Sequence, residues 1–295
     1  MFHSTIRTLQ QRDARRQRAA HLRAHAPLHC CVLVEARYLA QAQPVGLIRT
    51  LREAGCRVTV TDPGASLLDV GDTRWLEGLD LVVARGRSTD LLTRLSAAEA
   101  EGVTTLNSRR AIDAVVDKAH MATQLQAAGV PTPATWIGSI EQVRRNVPAS
   151  AFPLILKPVF GDNCRGIVVV QTPAQLAALA WNEPCVIAQE LLPSAGFDIK
   201  LYAIGERVWA VRKSSALHGG AGEATLLPLT PAWRELALRC GSLFGLQLFG
   251  VDCIDHQGEL KVIEVNDFPN YSGVPEADLL LARHIENRAR AEEPQ

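Results

Sequence analysis

Two carboxylates and an amide, Asp252, Glu264 and Asn266, bracket a glycine turn near the end of a chain of 295 residues. Asp252 and Glu264 are equidistant from Gly258. A three-residue turn centred on Gly258, in the segment His256-Gln257-Gly258, therefore predicts them opposite one another across an antiparallel ladder. Glu264 and Asn266, two apart, share a face. Such an all-oxygen set suits Mg²⁺ shared with phosphate oxygens, whereas softer metals draw on Cys or His, which that face lacks. The flanking Phe249, Val251, Val262, Ile263 and Val265 predict a sheet packed on one side, with the carboxylates turned toward a cleft. The simpler alternative is a pair of solvated carboxylates on an exposed strand.

Cations are the second signal. The chain has only five lysines against 26 arginines, and four of the five fall at informative places. Lys157 ends an apolar strand just before the polar loop Gly161–Gly166. Lys118 opens a helix, where the backbone dipole favours anions. Lys200 and Lys213 lie on two strands joined at Gly205-Glu206, and a two-residue loop there puts Asp198, Lys200, Val211 and Lys213 on one face. Compact cations around one cleft would neutralise a triphosphate, although each alone also reads as a surface lysine. The loop residues Gly161, Asn163 and Gly166 could lay backbone N–H groups over phosphates or simply form a hairpin tip. No Walker pattern is present, because Gly166 is followed by Ile167.

The elements that must position these groups follow from the hydrophobic pattern. Cys30–Val34, Arg57–Thr61, Leu79–Ala84 and Val103–Leu106 read as strands, alternating with helices at Val45–Ala54 and Asp90–Glu101. That alternation predicts an α/β domain with a parallel sheet over residues 27–115. No glycine-rich loop follows its first strand, which argues against a dinucleotide site. Residues 116–189 read as a small α+β unit: helix Asp117–Ala128 closed by Gly129, strand Ala134–Ile137, helix Ile140–Arg145, hairpin strands Leu154–Lys157 and Ile167–Val170, helix Ala174–Trp181, strand Val186–Glu190. Residues 190–295 form a second α+β unit: strands Asp198–Ile204 and Arg207–Lys213, helix Pro231–Phe244, the hairpin Phe249–Ile254 and Leu260–Val265, and a closing helix from Glu276.

Composition sets limits. Lys+Arg and Asp+Glu balance at 31 each, so no net field favours nucleic acid or an anionic membrane, and the longest apolar runs are strand-sized. Seven scattered cysteines without a CxxC predict reduced thiols in a cytoplasmic protein. Residues 1–26 stand apart, with Arg7, Arg12, Arg15, Arg16, Arg18 and Arg23 facing the single acid Asp13. They read as a basic extension: a solvated helix, a docking arm or an organelle presequence.

These elements, in this order, resemble the ATP-grasp superfamily over roughly Asn107–Ala289. The matching stretches are Asp117-Lys118, Ala128–Pro133, Phe152–Pro158 with its glycine loop, Val186–Leu192, Gly196–Gly205 and Phe249–Gly273. The resemblance implies that Lys118 and Lys157 hold ATP phosphates, with Gly161, Asn163, Gly166 and Asp198 in the nucleotide site. It implies that Gln189, Glu190, Leu191 and Leu192 form a hinge against adenine. It further implies that Asp252, Glu264 and Asn266 bind two Mg²⁺ ions, with Mn²⁺ as a substitute. Lys157-Pro158 and Gly196–Lys200 look like the RimK and glutathione-synthetase type of carboxylate–amine ligase, which releases ADP and phosphate through an acylphosphate. Lys200 and Lys213 would then carry the catalytic charge. Ser214–Gly220 keeps the Gly-Gly of those ligases but lacks their arginine and asparagine. With Leu248–Asp252 and Asn266–Val274 it is similar to inositol trisphosphate kinases, which phosphorylate a hydroxyl. A non-catalytic ATP-binding protein is the third reading. The implied acceptor is a small molecule or peptide. The oligomeric state is open, a homo-oligomer included.

Overall fold

The computed structural model describes residues 27–161, 165–215, 217 and 223–291; the basic extension, Asn163 and Gly219-Gly220 lie outside them. A four-stranded parallel sheet comes first, built from β1 (His29–Val34), β2 (Arg57–Thr61), β3 (Leu81–Arg85) and β4 (Thr104–Leu106) in the order β2-β1-β3-β4. Its central strands are buried on both faces, Cys30 and Cys31 included. That is why they read as unbroken apolar runs. Helices α1 (Ala42–Glu53), α2 (Thr89–Ala100) and α3 (Arg109–Val116) accompany it.

The second sheet is antiparallel, in the order β5-β8-β6-β7. It contains β5 (Thr135–Gly138), β6 (Leu154–Lys157), β7 (Val168–Val170) and β8 (Val186–Glu190). The expected hairpin around the glycine loop forms, with Leu154 opposite Val170. Helices α5 (Ile140–Asn146) and α6 (Pro173–Ala178) cover one face through Ile140, Val143 and Leu176. Ser139 starts α5 with a capping box to Gln142. Helix α4 (Lys118–Ala127) precedes this sheet in sequence but buries Met121 and Leu125 against the third.

That third sheet holds β9 (Phe197–Ile204), β10 (Arg207–Ser214), β11 (Thr225–Leu227), β12 (Leu248–His256) and β13 (Glu259–Asp267), in the order β11-β10-β9-β12-β13. Helix α7 (Pro231–Phe244) covers one face and ends on Gly245 in the left-handed conformation. Helix α8 (Ala277–Arg290) lies against the other face, where Leu281 and Ile285 share a core with Leu47 and Leu51 of α1. The first domain is thereby joined to the third sheet by an apolar seam. Asn107 reinforces it: buried, it donates to the Leu248 carbonyl at 2.7 Å and accepts from the Gln247 and Leu248 N–H groups.

Candidate active site

The metal-type hairpin forms with a different turn from the expected one. His256 pairs with Glu259, so only Gln257 and Gly258 turn the chain. Both have positive φ, 57° and 85°, the conformation that lets a two-residue turn match strand twist. A two-residue turn alone would put Asp252 opposite Ile263. A register shift between Asp252 and Cys253 restores the pairing of Asp252 with Glu264. The bulge inserts Ile263, and both Ile263 and Glu264 come to line one cavity. Ile263 therefore does not belong to the packed side, where Val262 and Val265 sit.

Each carboxylate is held by a lysine. Lys200 on β9 lies beside Asp252 in the ladder and donates to its Oδ2 at 2.6 Å. Lys118, the first residue of α4, donates to Glu264 Oε1. Asn266 reaches Asp252 Oδ2 through its Nδ2 at 3.4 Å. Burial works against the Lys200 charge, but the Asp252 carboxylate outweighs it and raises the ammonium pKa. At Glu264 burial likewise opposes ionisation. Lys118 above all, then Lys157 and Arg87, hold its carboxyl below the ordinary range. Burial, with Asp252 adding to it, pushes the Tyr202 hydroxyl to about 12.

The cavity has a volume of about 810 Å³, within the usual range for a ligand of nucleotide size, and lies between the second and third sheets. Lys118, Lys157, Lys200, Asp198, Asp252 and Glu264 form its polar wall. Ile155, Val169, Leu192 and Ile254 supply apolar surface. Glu190, Leu191 and Leu192 border it as the expected hinge does, the Leu191 N–H being bonded to the Pro153 carbonyl at 2.9 Å. Gln189 is buried behind this wall instead. It accepts from Lys157 Nζ at 2.8 Å and donates to Thr135 Oγ1 at 3.0 Å, fixing where the lysine points. Gly161 borders the cavity, and a Cβ there would meet Pro158 Cγ at 2.9 Å. Gly166 has φ +74° at the other end of the loop.

Lys213 pairs with Asp198 in the β9–β10 ladder and stands beside the cavity, not in its wall. Arg165, in contrast, lines it. The sequence signal for Arg165 is its place inside the glycine loop, one residue before Gly166. Among the described residues no group of three or more His, Cys, Asp or Glu gathers as a metal site. Two carboxylates facing a cation-lined cavity, with the Asn266 amide set against Asp252 just outside its wall, nevertheless fit a hard ion that shares its shell with phosphates.

Two antiparallel sheets closing on a cavity of this lining, behind an α/β domain, define the ATP-grasp class. The RimK-like ATP-grasp domain model matches residues 115–284, more than half of the chain, and the protein belongs to that family. The "Probable alpha-L-glutamate ligase" of Stutzerimonas stutzeri is 31% identical over 221 residues, covering 68% of this chain and 72% of the relative. "Probable alpha-L-glutamate ligase 1" of Hahella chejuensis is 29% identical over 242 residues, covering 74% and 80%. Among solved structures, the ATP-grasp ligase PsnB with a minimal precursor superposes with a TM-score of 0.69 at 19% identity, over 88% of this chain and 99% of PsnB. D-cycloserine synthetase DcsG does so at 0.69 and 20%, over 88% and 99%. The fold and the reaction class expected from the sequence are thus those of an ATP-dependent ligase, and ATP and Mg²⁺ are the cofactors of the family. Among the described residues no helix is long and apolar enough to cross a membrane, and Cys30, Cys31, Cys56, Cys185, Cys240 and Cys253 are free thiols.

Proposed function

We propose that the protein joins the amino group of L-glutamate to the carboxylate of a small molecule or peptide, through an acylphosphate. The pairing of Asp252 and Glu264 with Lys200 and Lys118, on the wall of one cavity, carries the reading. The names of the glutamate-ligase relatives support the amine.

In this reading a carboxylate oxygen bonds to the γ-phosphorus of ATP as the bond to the β-phosphate oxygen breaks, releasing ADP. The glutamate nitrogen then bonds to the carbonyl carbon and loses a proton, and the C–O bond to phosphate breaks with its electron pair. Lys157, aimed by Gln189, and Lys118 hold phosphate oxygens, and Arg165 adds a cation from the loop. Lys200 balances the charge beside Asp252. Glu190–Leu192, with Ile155 and Val169, would flank the base. Asp252, Glu264 and Asn266 would hold Mg²⁺ as two ions, with Mn²⁺ as a substitute. The metal would supply charge neutralisation on the transferring phosphoryl group. Catalysis by these residues is positioning and electrostatics, not covalent chemistry.

The test is ADP release with Mg-ATP, L-glutamate as amine, and an acid panel that starts with L-glutamate and a glutamyl-glutamate dipeptide. Free phosphate by ³¹P detection and a product one glutamyl unit heavier by mass spectrometry are expected. A phosphoester in place of free phosphate, or no ADP release with any acid, would sink the proposal.

A further inference from the structure

We propose that Arg87, delivered by the first domain, binds the carboxylate that is activated and then the acylphosphate made from it. The role rests on the ligase reading above and adds a residue to it.

The placement begins with topology. In the order β2-β1-β3-β4 the chain steps from β1 to one side and then crosses to the other, so the winding reverses between β1 and β3. Open α/β sheets take ligands in the crevice outside the carboxyl ends of the strands at such a point. The residues there are Glu35, after β1, and Arg85-Gly86-Arg87, ending and following β3.

Glu35 is already engaged in holding the loop. Its carboxylate accepts from the Ser88 N–H at 2.7 Å, from the Arg87 N–H and from Arg37 Nε at 2.6 Å. Gly86 makes this possible: its φ is +148°, and a Cβ would stand 2.6 Å from Glu35 Cδ. The two arginines then part company. Arg85 turns inward, stacked 4.1 Å from the Tyr38 ring and bonded to Gln41 Oε1 at 3.0 Å. Arg87 crosses to the third sheet and donates through Nη2 to Asp267 Oδ1 at 3.1 Å. Asp267 ends β13, three residues beyond Glu264.

Arg87 therefore links the switch point of the first sheet to the end of the carboxylate hairpin. Lys118, Lys157, Lys200 and Arg165 all line the nucleotide cavity, and Arg87 does not. In this proposal the acid comes to the phosphate end from the side of the first domain, where Arg87 stands. A guanidinium fork can serve Asp267 and a second carboxylate together, and its charge suits the acylphosphate that follows. With a side chain 12% exposed, the group is partly desolvated, where such a pairing counts for more than in water.

Two variants test this. Arg87→Lys keeps the charge but loses the fork, and the double variant Arg87→Gln/Asp267→Asn neutralises both members of the pair together. They are assayed with the acid of the panel that the wild-type protein turns over, alongside calorimetric binding of Mg-ADP. The double variant is expected to raise KM for the acid about tenfold or more, and Arg87→Lys less, while KM for ATP and Kd for Mg-ADP stay within about twofold. An unchanged KM for the acid, with only a lower melting temperature or weaker nucleotide binding, would show a merely structural arginine and overturn the proposal. Absence of ADP release from wild-type protein with every acid overturns the ligase reading first and this role with it.

Discussion

Asp252 faces Glu264 across the β12–β13 ladder, and each carboxylate is bound by a lysine from a different part of the chain, Lys200 on β9 and Lys118 at the head of α4. The two pairs tie β9 and α4 to the β12–β13 hairpin at one point on the cavity wall. They also mean that neither carboxylate can be removed without leaving a largely buried ammonium, since the Lys118 and Lys200 side chains are 11% and 18% exposed. Function and local stability are coupled here.

Asp252→Asn shows that coupling most directly. The amide keeps a hydrogen-bond acceptor for Lys200 but removes the opposing charge and a proposed metal ligand. ADP release is expected to fall by about 10²-fold or more, with a loss of stability of about 1–3 kcal/mol in urea unfolding. Near-wild-type turnover would show that Asp252 holds no metal.

The hairpin also marks how far the sequence could be read. The symmetry of Asp252 and Glu264 about Gly258 predicted the right pair through a three-residue turn. The actual route is a two-residue turn plus a bulge, two one-residue departures that cancel. Ile263 looked like core because an apolar β-branched residue in a strand usually is, and nothing local announces a bulge. Strands such as Arg57–Thr61, Leu154–Lys157 and Val186–Glu190 were legible to the residue because Gly, Pro and charged residues bound them. Arg87 was not legible, because its partner Asp267 lies 180 positions away. Gln189 falls within the expected hinge segment, but strand alternation buries it behind Lys157 and outside the cavity wall.

Acid should weaken the protein through Glu264. Its folded carboxyl sits below the ordinary value of 4.5 because Lys118 outweighs burial. The stability it contributes is therefore complete above about pH 4.5 and drains away as pH falls through the lowered folded value. Denaturant unfolding of wild type and Glu264→Gln should differ most near neutrality and converge in strong acid. A constant difference across that range would show that the Lys118 pair does not act through charge. Lys200 behaves in the opposite sense. Its raised pKa makes its contribution full below about pH 10.5 and lost only in strong alkali.

Gln189 and Lys157 separate positioning from charge. Lys157→Ala removes a proposed phosphate cation and should lower kcat/KM for ATP by about 10²-fold. Gln189→Leu leaves the cation but removes the 2.8 Å bond that aims it. Its expected effect is smaller, about three- to tenfold, and falls mainly on KM for ATP. Steady-state kinetics at saturating acceptor distinguishes the two. Equal losses in both variants would mean that Gln189 itself contacts the nucleotide.

Asn107 tests the seam between the first domain and the third sheet. Its amide satisfies one carbonyl and two N–H groups at Gln247-Leu248, and its side chain is buried. Asn107→Ala removes three hydrogen bonds at once and leaves their backbone partners without replacements. Each unsatisfied buried group costs about 1–3 kcal/mol, part of which water entering the gap recovers. A loss of about 2–4 kcal/mol is expected in urea unfolding. Because Leu248 begins β12, which carries Asp252 four residues on, the variant should also lower ADP release more than Mg-ADP affinity. A variant as stable as wild type would show that the apolar packing of α1 on α8 holds the seam alone.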